Sequence, residues 1–488
     1  MSSNAARCPR TAVVRPCLRQ ELLVPSSPQV IRFGDIWRLP LAVKHTPTVT
    51  RAPIDLLTSP FVRFAKFEAA SGILLLAVTL VALIWANSPW ASTYHTVWET
   101  DVTVGFGRTV LTWSRHHWVN DGLMSIFFFL VGLEIKRELL IGELSSFRQA
   151  AFPFIAAVGG CALPALLYLS INHGKPEANA WGIPMATDIA FALGVLALLG
   201  DRVPVSLKLF VAALAIVDDI IAVLIIAIFY TAHLDFVYMA FGLLGLAVCY
   251  GANLIGVRNP WVYTLIGIAI WFTVMQSGIH ATIAGVLLAF TIPCKSSIDK
   301  PHFITKVRHL LDCFEAAELD TTESHATLHS MEHQCAKMES PLHRIEHALQ
   351  PWVSFAIMPL FAFSNAGVHV LGNLIAAAKH PVTFGVALGL FVGKPLGITA
   401  CAWMAEKIRL ASRPAGISWR QIFGAGWVCG IGFTMSLFIA GLALPEGGPL
   451  DLAKIGTLGA SVLAGCAGCF FLLKTAPAAS EEPAEIIA

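Results

Sequence analysis

Charged side chains are scarce in this sequence. Asp, Glu, Lys and Arg make up 13% of its 488 residues, whereas soluble domains carry roughly 25%. Hydrophobic residues reach 56%, and a water-soluble body would leave much of that apolar surface exposed. The shortage of charge therefore argues against a soluble globular protein and favours an integral membrane protein. The formal net charge of +2 also argues against nucleic acid as a partner, because such binding relies on a basic field.

The sequence also lacks the cysteine spacing of a disulfide framework and the apolar run of a secretory signal peptide. Most of the eleven cysteines lie in or beside apolar segments, and their spacing does not indicate a disulfide framework. Cys466 and Cys469 form a C-x-x-C without a second pair, so we interpret them as packing residues. Residues 1–60 are rich in arginine but lack an apolar run long enough for a signal peptide. We predict a disordered cytoplasmic extension there, with an organelle transit peptide or an over-extended start as alternatives.

Long apolar runs dominate the rest of the chain. A membrane-spanning helix needs about 20 mainly apolar residues, and about twelve segments approach or reach that length. The predicted fold class is therefore an all-α polytopic membrane protein. The approximate spans are 69–86, 119–139, 150–171, 181–200, 205–230, 236–255, 260–275, 278–292, 347–370, 382–405, 421–443 and 452–474.

Positive charge in the connecting loops predicts the orientation. Lys and Arg concentrate after even-numbered spans, for example Arg202 and Lys208 after the fourth. Because loops rich in these residues stay in the cytoplasm, both termini are predicted to be cytoplasmic. The predicted divisions are an extension 1–60, transmembrane helices 1–8 in 61–293, a cytoplasmic insert 294–343, transmembrane helices 9–12 in 344–474 and a cytoplasmic tail 475–488.

An adjacent pair of carboxylates, Asp218 and Asp219, lies in the middle of an otherwise apolar run. Ionisable residues inside a span are energetically costly and by default mark a functional pathway. Neighbouring side chains on a helix point about 100° apart, so one carboxylate can line a water-filled cavity while the other faces another helix. Carboxylate oxygens suit both protons and hard cations, so competition between the two is a mechanism for exchange. The alternative is a buried ion pair that only fixes helix packing.

Two further charges lie in other spans. Lys394 is the natural counter-charge for Asp218 or Asp219, either as a group that releases a proton or as a permanent structural partner. Asp188 lies in a segment interrupted by glycine and proline, and the eleventh span is interrupted in the same way. Broken segments in matching positions of two halves indicate a transporter site. Asp188 would offset the positive helix ends there, and Thr187 would supply a neutral oxygen ligand.

Specific motifs occur in one order between about Arg63 and Leu473. Among them are Phe129-Leu-Val-Gly-Leu-Glu-Ile-Lys-Arg-Glu-Leu, Ala186-Thr-Asp-Ile-Ala-Phe, Leu214-Ala-Ile-Val-Asp-Asp, Gly278-Ile-His-Ala-Thr-Ile-Ala-Gly, Gly393-Lys-Pro-Leu-Gly and Gly430-Ile-Gly-Phe-Thr-Met-Ser-Leu-Phe-Ile. Together they resemble bacterial NhaA-type sodium/proton antiporters. The resemblance implies inverted repeats with two discontinuous helices. It also implies an electrogenic, pH-regulated exchange of sodium (or lithium) for protons in the bacterial inner membrane. No cofactor is implied.

The resemblance implies roles for individual residues as well. Asp219 looks like the ion- and proton-binding carboxylate, with Asp218 beside it, so that sodium would bind at these two residues. Lys394 is similar to the family's lysine that pairs with Asp218. Asp188 resembles the aspartate at the crossing of the two broken helices. Asp121 matches an acid near the outer side of the second span. The residues that match pH regulation in the family are Glu134, Arg137, Glu138, His280, Glu346 and His347.

The loop from Asn87 to His117 corresponds to an outward hairpin through which family members form homodimers. Elsewhere the sequence departs from the family. Gln350 stands where a second histidine commonly precedes Pro-Trp, so His347 lacks its usual neighbour. The insert is also longer than expected, and its histidines recur every four residues, which places them on one face of a helix. They suit a zinc or nickel site, although a solvated cytoplasmic helix with histidines on its interface side is the simpler interpretation. The residues concerned are His325, His329, His333 and Cys335.

Two other functions stay open from the sequence. An intramembrane aspartic protease would use two facing aspartates on separate helices, for example Asp188 and Asp219, although the sequence contains no Gly-x-Gly-Asp signature. A transporter fold that has become a sensor would use the insert as its output module. We expect a transporter rather than an enzyme, because the adjacency of Asp218 and Asp219 suits ion binding better than proteolysis.

Overall fold

The computed structural model describes residues 70–106, 109–231, 234–295, 298–316, 321–368 and 374–475. Most of these residues are helical, and the sheet among them is a single antiparallel hairpin of β1 (Asp101–Phe106) and β2 (Thr109–Ser114). Its register pairs Asp101 with Ser114 and Phe106 with Thr109. The predicted all-α polytopic class is confirmed. The predicted extension, and the tail beyond residue 475, lie outside the described residues.

The described part of the chain forms the following α-helices, some of which continue through a short π-helical turn. In chain order they are α1 (Ala70–Ala86), α2 (Ala91–Glu99), α3 (Arg115–Leu140), α4 (Phe147–Asn172), α5 (Ile189–Leu198), α6 (Val205–Phe229), α7 (Phe236–Ile255), α8 (Pro260–Gln276), α9 (Ala281–Thr291), α10 (Lys300–Ala316), α11 (Thr322–Met338), α12 (Pro341–Trp352), α13 (Met358–Asn365), α14 (Leu374–Lys379), α15 (Pro381–Lys407), α16 (Trp419–Cys429), α17 (Phe433–Ala443) and α18 (Gly448–Thr475).

Length and composition identify the candidate spans. Within the described ranges, seven helices are long and apolar enough to cross a membrane, and two bent pairs raise the number to nine. The bent pairs are α1 with α2, at 113°, and α16 with α17, at 49°. Helices α8 and α9 correspond to the seventh and eighth predicted spans and are apolar but shorter. The predicted count of about twelve stays a prediction.

Two spans are broken near their middles. The first consists of a 3-10 segment, Pro176–Met185, and α5, which are separated by extended backbone at Ala186. Pro184 lies just before that break and cannot donate a backbone hydrogen bond, which weakens helical continuity. The second break separates α16 from α17 at Gly430 to Gly432. Each break leaves a half-helix whose first backbone N–H groups lack helical partners, so nearby acceptors are needed.

Glycine lets two helices of the core approach closely. A Cβ atom at Gly159 on α4 would lie 2.3 Å from the carbonyl oxygen of Gly397 on α15, a separation that no side chain tolerates. Small residues serve this purpose in membrane helix packing. Helix α15 also contains a π-helical turn, Gly389–Gly393, immediately before Lys394. This packing places the lysine beside α4 in the interior of the bundle.

The insert after α9 folds into two helices, α10 and α11, which pack on each other. His325, His329 and His333 lie on α11, as predicted, and all three are exposed. In the described ranges, no group of three or more His, Cys, Asp or Glu residues is arranged to hold a metal ion. The zinc or nickel alternative therefore gains no support from the fold.

Candidate ion-binding site

Helix α6 carries Asp218 and Asp219 close to its middle. Their exposed fractions are 1% and 2%, so both carboxylates are withdrawn from solvent and lipid. Most of the other α6 residues are apolar. A buried charge is tolerated only where other groups compensate it, so the surroundings of each carboxylate decide what it does.

Asp218 accepts hydrogen bonds on both of its oxygens. The ammonium group of Lys394 donates to Oδ2 and forms a salt bridge in which both side chains are buried. The hydroxyl of Thr187 lies 2.7 Å from the same oxygen. The thiol of Cys161 lies 3.3 Å from Oδ1. Asp218 is therefore occupied by donors from three other segments of the chain.

Asp219 is in a different situation. Its Oδ1 atom is buried and has no hydrogen-bond partner among the described residues. Leaving a buried acceptor unsatisfied costs roughly 1–3 kcal/mol, and more for a charged group, and native proteins rarely accept that without a functional reason. Of the two adjacent carboxylates, Asp219 is thus the one with an oxygen available to a proton or a cation.

Thr187 joins the two broken spans. Besides Asp218, its hydroxyl lies 2.9 Å from the backbone carbonyl of Cys429 at the end of α16. A hydroxyl has one proton to donate, so it can serve only one of these acceptors at a time. The sequence suggested Thr187 as an ion ligand, and the structure places it against Asp218. Its role as a ligand stays a prediction.

Asp188 connects the starts of two half-helices. It is the N-cap of α5, where its Oδ1 accepts the backbone N–H of Phe191 at 3.0 Å. Its Oδ2 accepts the backbone N–H of Thr434 at 3.2 Å, near the start of α17, and also the hydroxyl of Thr434. The backbone N–H of Asp188 donates to the carbonyl of Ile431 at 2.8 Å. One carboxylate therefore offsets two positive helix ends, and Thr434 is a partner that the sequence analysis missed.

A charged cluster joins α3 to α12. Arg137 Nε lies 3.1 Å from Glu346 Oε1, and Arg137 Nη2 lies 3.4 Å from Glu138 Oε1. His343 Nδ1 is 3.7 Å from Glu346 Oε2, and its ring centroid is 4.9 Å from that of His347. The structure thus brings together residues that the sequence matched to pH regulation. It adds His343, whose spacing of three residues from Glu346 on one helix was the available signal.

Glu134 lies one helical turn before Glu138 on α3. Helix α3 packs against α12, which carries Glu346, and against α6, which carries Asp219. Glu134 therefore lies on the helix that connects the charged cluster to the aspartates of α6.

A second polar cluster surrounds Asp121. Its Oδ1 lies 3.4 Å from His280 Nε2, and its Oδ2 lies 3.4 Å from His117 Nε2. His280 Nδ1 is 3.0 Å from the hydroxyl of Thr282. Sequence reasoning treated Asp121 and His280 separately and missed His117. The four-residue spacing of His117 and Asp121 on one helix was the available signal.

A cavity of about 1250 Å³ lies between α3, α8, α9 and α12. Its lining is mostly apolar and includes Trp118, Tyr263, Trp271 and Leu288. None of the three buried aspartates lines it. Asp188, Asp218 and Asp219 are instead enclosed by the surrounding helices, which suits a small ion held by a few oxygen atoms.

Comparison with known proteins identifies the family. Residues 62–472 match the family described as Na+/H+ antiporter 1. The chain belongs to this antiporter family. The Na(+)/H(+) antiporter NhaA of Koribacter versatilis is 60% identical over 88% of this chain and 95% of its own length. The Na(+)/H(+) antiporter NhaA of Oleidesulfovibrio alaskensis is 48% identical over 86% of this chain and 95% of its own length. That of Wolinella succinogenes is 47% identical over 84% of this chain and 92% of its own length.

Membership of the Na+/H+ antiporter 1 family confirms the resemblance drawn from the motifs. Members of this family are transporters and not enzymes, so the protease alternative is wrong. The geometry agrees, since both oxygens of Asp188 serve as helix caps. Together with the apolar helices, the family also establishes a multi-pass membrane protein.

Proposed function

We propose that this protein exports sodium (or lithium) across the bacterial inner membrane by making the cation and protons compete for Asp219. The observation that carries the proposal is the contrast within one pair: Asp218 has donors on both oxygens, while Asp219 has an unpartnered buried oxygen. The names of the relatives, Na(+)/H(+) antiporters, support sodium and protons as the exchanged ions.

The exchange follows from the chemistry of a carboxylate. In its ionised form Asp219 offers oxygen ligands that suit a hard cation, and Asp218 adds negative charge beside it. In its protonated form it has lost the charge that holds the cation. Binding one ion therefore excludes the other. Transport is electrogenic if a second group, either Asp218 or Lys394, also exchanges a proton in each cycle.

Alternating access is proposed to occur around the two broken spans. Transporters with inverted repeats rock one helix bundle against the other about a central site. Here the joints are the hydrogen bonds of Asp188 with Thr434 and with the Ile431 carbonyl. These contacts cross between segments and can re-form, whereas the backbone bonds inside each half-helix stay intact.

Regulation by pH is assigned to the charged cluster. Glu346 is 7% exposed and lies against both Arg137 and His343. A change of charge within this cluster changes how α3 and α12 are held together. Because α3 packs against α6 as well as α12, a change in the cluster reaches the ion site through that helix. The proposed topology has both termini in the cytoplasm.

Proton movement in inverted membrane vesicles tests the proposal. Adding sodium to wild-type vesicles should release protons from the acidified lumen, and Asp219→Asn should abolish the response because the amide can be neither charged nor titrated. The matched control is Asp312→Asn, on an exposed helix of the insert, which should respond like wild type. If Asp219→Asn vesicles respond like wild type, Asp219 is not the exchanging group.

A further inference from the structure

One contact of the ion site has no part in the exchange mechanism described above. Cys161 is 6% exposed on α4, and its thiol lies 3.3 Å from Asp218 Oδ1. The other acceptor near the sulfur, the Met185 carbonyl, is more distant at 3.9 Å. The thiol therefore donates its hydrogen bond to the Asp218 carboxylate.

The donors divide between the two oxygens of Asp218. Oδ2 accepts hydrogen bonds from the Lys394 ammonium and the Thr187 hydroxyl. Among the described residues, Oδ1 accepts a hydrogen bond from Cys161 alone. The terminal torsion of an aspartate is broad and soft, so donors on one oxygen alone restrain the plane of the carboxylate weakly. A donor on the second oxygen completes the restraint.

We propose that Cys161 is a positioning residue of the ion site, whose thiol holds the Asp218 carboxylate in the orientation that leaves Asp219 as the oxygen donor for the cation. The inference rests on the proposed function, since it assumes that the cation binds beside this pair. A thiol is a weak donor, so it restrains Asp218 without displacing the lysine. The close approach of α4 and α15 at Gly159 and Gly397 brings Cys161 and Lys394 to the same carboxylate.

The competing explanation is packing. A buried free cysteine often behaves as a small hydrophobic residue, and in that case only its volume would matter. Replacing the sulfur by groups of different donor capacity separates the two explanations. Cys161→Ser keeps a donor, and Cys161→Ala removes it. Cys249→Ala is the control, because Cys249 is a buried thiol on α7 outside the contacts of Asp218.

Sodium dependence of antiport in proteoliposomes is the first measurement. In Cys161→Ala the apparent KM for sodium should rise about five-fold, the equivalent of one ordinary hydrogen bond, while the maximal rate stays within about two-fold. Cys161→Ser should return to within about two-fold of the wild-type KM. Cys249→Ala should match wild type. An unchanged KM in Cys161→Ala, or a serine variant as impaired as the alanine variant, would overturn the inference.

Infrared spectroscopy of the S–H stretch is the second measurement, and it requires no transport. The band that disappears in Cys161→Ala should lie below that of a free thiol, because the thiol donates to a carboxylate. It should move to higher frequency in Asp218→Asn, where the acceptor is neutral. An S–H stretching frequency that is the same in Asp218→Asn and in wild type would contradict the hydrogen bond itself.

The two measurements keep this inference separate from the proposed function. If Asp219→Asn retains antiport activity, the proposed exchange mechanism is wrong, whatever the Cys161 variants show. Failure of the Cys161 assignment appears in the serine and alanine variants while Asp219→Asn stays inactive. Should Cys161→Ala not fold, Cys161→Val fills the space without a donor and takes its place.

Discussion

At the scale of single residues, Asp218 and Asp219 differ only in what surrounds them. The same carboxylate is a salt-bridge partner at one position and an unpartnered acceptor at the next. Their rotation of about 100° about the helix axis directs one toward α4 and α15 and separates the other from those donors. The surrounding donors, and not the residue type, decide which aspartate keeps an oxygen without a hydrogen-bond partner.

The buried pair of Lys394 and Asp218 leads to a stability prediction. Lys394→Met should lower the free energy of unfolding by about 3–5 kcal/mol, because it leaves the Asp218 charge buried without its ammonium partner. The double variant Asp218→Asn/Lys394→Met should regain a large part of the loss, since no lone charge remains. Denaturant unfolding in detergent measures both.

Lys379→Met is the matched control, because Lys379 is exposed at the end of α14 and should leave stability unchanged. Equal stability of Lys394→Met and wild type would contradict a net role for the pair in holding α6 to α15.

At the scale of helices, breaks expose polar groups of the backbone within two of the candidate membrane spans. Lipid offers no hydrogen bonds to a helix end, so each half-helix depends on an acceptor supplied by the chain. Asp188 provides it for α5 and α17 together. The breaks themselves were predictable from Pro184 and from the run of glycines before α17. That one aspartate would cap both helices was not predictable, because the two segments are 246 residues apart in sequence.

Two N-cap aspartates allow a matched test of this junction. Asp235 caps α7 at an exposed position, with Oδ1 2.8 Å from the Val237 N–H, so Asp235→Ala should cost about 1 kcal/mol of unfolding free energy. Asp188→Ala should cost about 3 kcal/mol, because it also leaves the donors of Thr434 unpaired in a buried site. Equal costs in denaturant unfolding would show that Asp188 is an ordinary cap.

At the scale of the whole molecule, the hairpin of β1 and β2 is a candidate contact between protomers, and Trp113 ties it to the bundle by packing against Trp118 and Trp271. We propose that the antiporter is a homodimer joined through this hairpin. The strands begin and end beside each other, since the N–H of Arg115 donates to the carbonyl of Thr100 at 3.1 Å. Residues 103–112 can therefore be removed and Val102 joined to its register partner Trp113 through glycine. This deletion keeps Ser114, the N-cap of α3, and the Val102 carbonyl that accepts from Trp118.

Deleting residues 103–112 should convert the dimer to a monomer while the bundle stays folded, because the deleted edge strands are what a second hairpin would pair with. Light scattering coupled to size-exclusion chromatography in detergent gives the mass. Deleting the insert, residues 297–338, is the control and should leave both the dimer and the antiport activity intact. A dimeric hairpin-deletion variant would assign the interface to another surface. Antiport that is retained without the insert would count against the sensor alternative.

The sequence alone determined that this is a polytopic membrane protein, where its main apolar segments lie, and that Asp188, Asp218, Asp219 and Lys394 are exceptional. Those conclusions depend on local quantities, namely the length of apolar runs and the cost of a charge inside them. Tertiary structure decided which carboxylate is held by donors and which keeps an unpartnered oxygen. The donors of Asp218, Thr187, Cys161 and Lys394, are 31, 57 and 176 residues away from it in sequence, and only helix packing brings them to one carboxylate. Cys161 shows the difference most clearly. In the sequence it is a small residue in an apolar run and nothing marks it as functional, whereas the packing of α4 beside α6 brings its thiol to Asp218.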